Sequence, residues 1–67
     1  MLHITVNGQP ATQPAGTTVA ALVASMALAG RRYAVERNGE VVPKSRLDAT
    51  AIEDGDRFEI VFAVGGG

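Results

Sequence analysis

The 67-residue chain has no cysteine, which removes disulfide staples, thiolate zinc sites and a cysteine nucleophile together. With a single histidine, His3, a histidine-rich metal site is excluded as well, so no metal-binding residues are expected. Excess positive charge is also missing. Six Lys and Arg against seven Asp and Glu give a net charge of −1, and the isoelectric point is about 5.6. The chain therefore lacks the broad basic face that binding a phosphate backbone needs, and nucleic acid is not an expected partner. No apolar run approaches the ~20 residues of a membrane span, and the first residues lack the basic-then-apolar order of a signal peptide. The chain reads as one soluble, cytoplasmic domain with no membrane partner. Its core should be thin, since a chain near 60 residues buries only ~60% of its unfolded surface.

What the chain does contain is a regular succession of turn signals between short apolar patterns. Leu2, Ile4 and Val6 alternate with His3 and Thr5, the period of a half-buried strand. Asn7-Gly8 follows at once, the pair best suited to a two-residue type I′ turn, whose central residues both need positive φ. The return strand, about Gln9 to Gln13, contains Pro10 and so belongs at a sheet edge, because proline cannot donate to the ladder. His3 carries a side chain that often serves as a general base, but no carboxylate or nucleophile lies near it in sequence, which favours a solvent-facing strand residue. From Val19 the period changes to 3.6: Val19, Leu22, Val23 and Met26 form one apolar stripe, predicting a helix from about Val19 to Ala29. Thr18 suits its N-cap, and Gly30 the left-handed residue that ends it. Met26 fits a gap-filling core role. Arg31 and Arg32 suit the negative end of the helix dipole, or alternatively an anion or partner contact.

Tyr33 to Arg37 reads as a third strand, and Asn38-Gly39 makes a second hairpin with Glu40, Val41 and Val42. Lys44 to Thr50 is polar except for Leu47, which should pin a loop or short helical turn onto the core. Asp54-Gly55-Asp56 is a turn before the last strand; two carboxylates around a glycine suggest calcium, but the remaining spaced oxygen ligands are absent. Arg57 to Val64 then places Phe58, Ile60, Phe62 and Val64 on one side and Val61 and Ala63 on the other. A strand this apolar is better buried in mid-sheet than left at an edge. Set beside the first strand it makes a parallel pair, with the helix as crossover. The expectation is an α+β, ubiquitin-like β-grasp fold: a mixed sheet of about five strands with one helix on one face, over residues 1–64.

Gly65, Gly66 and Gly67 follow. Three glycines reach roughly 10 Å when extended and, having no Cβ, fit a narrow slot in another protein. They are either a frayed end or a segment presented to a partner. No helix follows to supply an N-terminal dipole, so they are not a phosphate cradle. On the second reading Val61, Ala63, Val64, Gly65 and Gly66 are the partner-binding residues. Val61 and Ala63 would form an apolar docking patch beside the tail, with Arg31, Arg32, Lys44 and Arg46 steering toward an acidic partner. No residue of the chain stands out as catalytic.

The order of these motifs resembles the ThiS family of sulfur carriers over essentially the whole chain. The resemblance rests on Asn7-Gly8, on Ala15-Gly16-x-Thr18-Val19, and on Ala34-Val35-x-x-Asn38-Gly39-x-Val41-Val42-Pro43-Lys44. Most specific is Asp54-Gly55-Asp56-x-Phe58-Glu59-Ile60-Val61-x-Ala63-Val64-Gly65-Gly66-Gly67. Leu47 departs from the family, which often has an aromatic residue there. The resemblance implies a protein carrier, not an enzyme, acting as co-substrate in thiamine biosynthesis. A ubiquitin-activating-like, ThiF-type enzyme would use MgATP to adenylate Gly67, and sulfur from cysteine desulfuration would convert the adenylate to a thiocarboxylate. A ThiG-type thiazole synthase would accept that sulfur. MgATP belongs to the activating partner, no cofactor is bound by the chain, and the free carrier is expected to be monomeric. The small subunit of molybdopterin synthase shares fold and tail but lacks the Asn38 to Lys44 pattern. Two other classes use the same fold: a ubiquitin-like protein modifier joined through Gly67, and an RNA-binding module, which the charge disfavours.

Overall fold

The computed structural model describes residues 1–28 and 30–63. Five strands, β1 (Leu2–Val6), β2 (Gln9–Gln13), β3 (Tyr33–Arg37), β4 (Glu40–Val42) and β5 (Arg57–Phe62), form one sheet in the order β2-β1-β5-β3-β4. The first strand runs parallel to β5 and every other neighbouring pair is antiparallel. This is the mixed β-grasp sheet that the sequence predicts, with the apolar last strand central and the proline-bearing β2 at an edge. Asn7 and Gly8 have φ of 51° and 81°, and Asn38 and Gly39 of 52° and 88°, so both hairpins turn with two positive φ values.

One helix, α1 (Val19–Ala24), covers the inner face of the sheet. Val19, Leu22 and Val23 are buried against Ile4, Val35, Phe58 and Ile60 from the strands, and Met26 packs at the margin of this core. Thr18 caps the helix, its Oγ1 accepting from the Ala21 N–H at 3.1 Å. A second orphan donor, the Val19 N–H, reaches the Thr50 carbonyl at 2.9 Å, so the segment after β4 is stapled to the helix start. That segment contains a 3-10 helix, Lys44–Ala49, whose Leu47 is buried in the core as its isolation among polar residues suggests.

The helix is shorter than its sequence predicts. It ends at Ala24 with Ser25 as C-cap, not near Gly30. The Met26 and Ala27 N–H groups reach back only three residues, to Val23 and Ala24, and Ala27 turns to φ 55°. Alanine propensity alone holds a helix weakly, and beyond Met26 the apolar stripe has no further large side chain to bury. The last strand likewise ends at Phe62, so Ala63 lies just past it, and Val64 is outside the described residues.

Candidate functional site

The site predicted from sequence lies where β5 leaves the sheet, and its first part, Val61 and Ala63, is described. Because side chains alternate along β5, Phe58 and Ile60 point into the core while Val61 faces solvent, 47% exposed. The register sets Val61 opposite Ala34 of β3, so two small apolar side chains share the outer face. On the neighbouring β4, Val41 is 64% exposed and stands opposite Glu36. The apolar patch is therefore wider than the last strand alone suggests. Ala34 and Val41 belong to it, and only strand pairing identifies them, since neither adjoins Val61 in sequence. Glu36 and Glu59 lie directly opposite one another on the rung that also holds Val41, two like charges on adjacent strands bordering the patch. Ala63 is exposed, and its N–H donates to the Arg32 carbonyl at 3.1 Å, adding one rung beyond the strand. Val64, Gly65, Gly66 and Gly67 lie outside the described residues.

On the inner side of the same strand end, Tyr33 and Phe62 are direct cross-strand partners. The Arg31 guanidinium sits 4.2 Å from the centroid of the Phe62 ring, and the Lys44 ammonium 4.8 Å from that of Tyr33. Arg31 is thus anchored by an aromatic ring and not by the helix dipole the sequence suggests, because α1 ends at Ala24 and has no basic residue in its last turn.

The other end of β5 is held by polar side chains. Asp56, 5% exposed, accepts from Arg37 Nε at 2.9 Å, from Asn38 Nδ2 at 3.0 Å and from the Glu53 N–H at 2.9 Å. Burial pushes its carboxyl up, but these hydrogen bonds and the Arg37 charge outweigh burial and hold it below the ordinary carboxylate value. Arg37 also reaches Glu53 at 3.2 Å. Asn38 Oδ1 accepts the Arg57 N–H at 2.9 Å, and Asn7 Oδ1 accepts the Ile60 N–H at 2.8 Å. Each hairpin asparagine thus extends the ladder of β5 with its side chain as well as making its own turn. Sequence reading found the turns and missed these anchors. The signal available was that both turns use asparagine where glycine or aspartate would also serve.

Asp54-Gly55-Asp56 is a turn, as predicted, with Gly55 at φ 87°. Its carboxylates serve different donors, Asp56 those just named and Asp54 the His3 N–H at 2.6 Å, so they do not form a shared calcium cradle. His3 is solvent-facing, but folding does bring it a carboxylate: its Nδ1 lies 3.5 Å from Asp54 Oδ1, with the side chains 77% and 67% exposed. That backbone hydrogen bond is the main cause holding the Asp54 carboxyl below its usual value. No serine or threonine hydroxyl among the described residues is hydrogen-bonded to His3. Among the described residues no helix is long and apolar enough to cross a membrane.

The ThiS family profile matches residues 4–67. A crystal structure of the thiamine biosynthesis protein ThiS from Geobacter metallireducens is 37% identical, with a TM-score of 0.79, over 98% of this chain and all of that one. A solution structure of a thiamine biosynthesis protein from the same organism gives 36% identity and a TM-score of 0.75 over 98% and 88% of the two chains. Two proteins named thiazole synthase are also similar. That of Paramagnetospirillum magneticum is 42% identical over 66 residues and that of Magnetococcus marinus 36%. Those 66 residues are 98% of this chain but 20% of either synthase, so the chain spans one fifth of the length of these relatives.

Proposed function

The chain belongs to the ThiS family, small sulfur carriers of thiamine biosynthesis, and from that premise we propose that the carboxyl group of Gly67 is the sulfur-bearing atom centre. A carboxylate is a poor acylating agent, so it must first be activated. In this reading a ThiF-type enzyme transfers AMP from MgATP to the Gly67 carboxylate and releases pyrophosphate. The terminal sulfur of a persulfide, derived from cysteine, then displaces AMP, and a further thiol cleaves the resulting acyl disulfide to leave the thiocarboxylate. ATP, magnesium and the nucleophilic thiols all belong to partners, which suits a chain without cysteine. The chain's own contributions are a rigid β5 that fixes where the tail departs, and the Val61, Ala34 and Val41 patch on which the activating enzyme docks.

The observation that carries the reading is the family match over residues 4–67, together with a fold superposable on a ThiS crystal structure along its full length. The two thiazole synthases support the acceptor. A segment related to this chain lies within each of them, and covalent linkage raises the effective concentration of carrier and acceptor. A ThiG-type thiazole synthase is accordingly the proposed recipient of the sulfur. The intact mass of the protein isolated from its source tests the proposal. Replacement of one oxygen by sulfur at Gly67 supports it, and an amide link to lysine would instead make the chain a protein modifier. Deleting Gly66 and Gly67 should abolish ATP-pyrophosphate exchange with the adenylating enzyme, because positioning errors of about 1 Å already cost ~10²-fold in rate. Gly66→Ala should slow it, since the added methyl group restricts φ and obstructs a narrow channel.

A further inference from the structure

The cations at the exit of β5 are held by aromatic rings, and that distinguishes them from the other well-anchored bases of the chain. Among the described residues the ion pairs involve Arg37, with Asp56 and Glu53, and His3, with Asp54. Arg31 and Lys44 pair with no carboxylate among the described residues. They rest instead on Phe62 and Tyr33, which are paired across β5 and β3 at the last rung before Ala63. A ring face fixes a cation in place without neutralising it, so the charge stays available to a partner. An arginine already paired to a carboxylate would first have to give that pair up.

Charge is also distributed along the strand. Glu53, Asp54 and Asp56 lie just before β5 and Glu40 begins β4 at the same end of the sheet, where these four carboxylates outnumber Arg37 and Arg57, and Glu36 and Glu59 face each other in the middle. Arg31, Arg32 and Lys44 gather at the opposite end, where the chain departs. The fold thus presents a positive rim around the exit of the segment that carries Gly67.

We propose that this rim docks against acidic side chains surrounding the mouth of the channel into which the adenylating enzyme takes the tail. The proposal rests on the carrier reading and adds to it the chemistry of the partner's entrance. A phosphate attached to Gly67 is not the counter-ion. In a threaded, extended tail Gly67 lies four residues beyond Ala63, up to ~14 Å away, out of reach of side chains anchored on Phe62 and Tyr33. Carboxylates fixed at the partner's rim meet the cations at the exit itself, and charges in such positions govern encounter and its salt dependence.

The test is ATP-pyrophosphate exchange by the adenylating enzyme of the same source, with the carrier concentration varied at low and at physiological ionic strength. The Arg31→Glu/Lys44→Glu variant should raise the KM for the carrier about tenfold at low salt, leave kcat within about twofold, and flatten the salt dependence. Phe62→Leu keeps both charges but removes one shelf and should give a smaller rise, about two- to threefold. Arg57→Glu makes the same change of charge at the far end of β5 and should alter neither constant. Circular dichroism confirms that each variant is folded. An unchanged KM and salt dependence in the folded double variant, a fall in KM, or an equal effect from Arg57→Glu overturns the proposal. If the intact protein supports no exchange, the carrier reading itself fails and the rim falls with it.

Discussion

Replacing Asp56 by alanine should be the most damaging single change at a polar residue in this chain. Three donors converge on its buried carboxylate: Arg37 Nε, Asn38 Nδ2 and the Glu53 N–H. A hydrogen bond to a charged group contributes ~1.5–3 kcal/mol, and breaking a buried pair by removing one partner costs ~3–5 kcal/mol in all, because the contributions overlap. Arg37 keeps Glu53 as a partner, so we expect about 3 kcal/mol. A domain of this size has a total stability of roughly 3–10 kcal/mol, and each kcal/mol shifts Tm by ~4–8 °C. The midpoint at pH 7 should therefore fall by about 12–24 °C in thermal unfolding followed by circular dichroism. The pH dependence checks the cause. The folded-state pKa of Asp56 lies below its unfolded value of ~3.9, so its contribution is fully present above that value and is lost as pH falls through the folded pKa. The wild-type and Asp56→Ala midpoints should thus converge below about pH 4, with Asp54, also depressed, contributing equally to both curves. A midpoint within about 2 °C of wild type at pH 7, or parallel curves in acid, would refute the reasoning.

Three further outcomes follow from particular contacts. Asn7→Ala should cost about 2–3 kcal/mol in chemical denaturation, through the lost acceptor for the Ile60 N–H and the strain of alanine at φ 51°. Asn7→Gly, which relieves only the strain, should recover about 1 kcal/mol of that. Ala27→Gly should stabilise by about 0.5–1 kcal/mol, since an exposed alanine at φ 55° bears a left-handed penalty that glycine escapes; a lower unfolding midpoint would contradict this. Val61→Asp should cost no more than about 1 kcal/mol of stability, yet raise the carrier KM in the exchange assay at least about fivefold; unchanged kinetics would remove Val61 from the docking patch.

Much of this protein was determined by local sequence. The alternation of Leu2, Ile4 and Val6, the two Asn-Gly pairs, the stripe from Val19 to Met26 and the Thr18 cap each act within a few residues, so the elements and their turns could be named from the chain alone. The apolar character of Phe58 to Phe62 even implied a central strand, because an exposed edge of that kind aggregates. The resemblance carried by Asp54 to Gly67 pointed to the family in the same way. Tertiary structure decided what depends on partners distant in sequence. Helix α1 stops at Ala24 and the chain turns at Ala27 while Met26 and Leu28 still pack at the core margin, an end that the alanine-rich sequence and its propensity do not foresee. Ala34 and Val41 join Val61 only through strand register. Asn7 and Asn38 become rungs of β5, and Asp56 the anchor of its start, only when segments 18 to 53 positions apart meet. Arg31 and Lys44 became a rim only when Phe62 and Tyr33 were brought face to face with them, since a ring's pull on a cation is felt only within ~6 Å and the chain records no such distance.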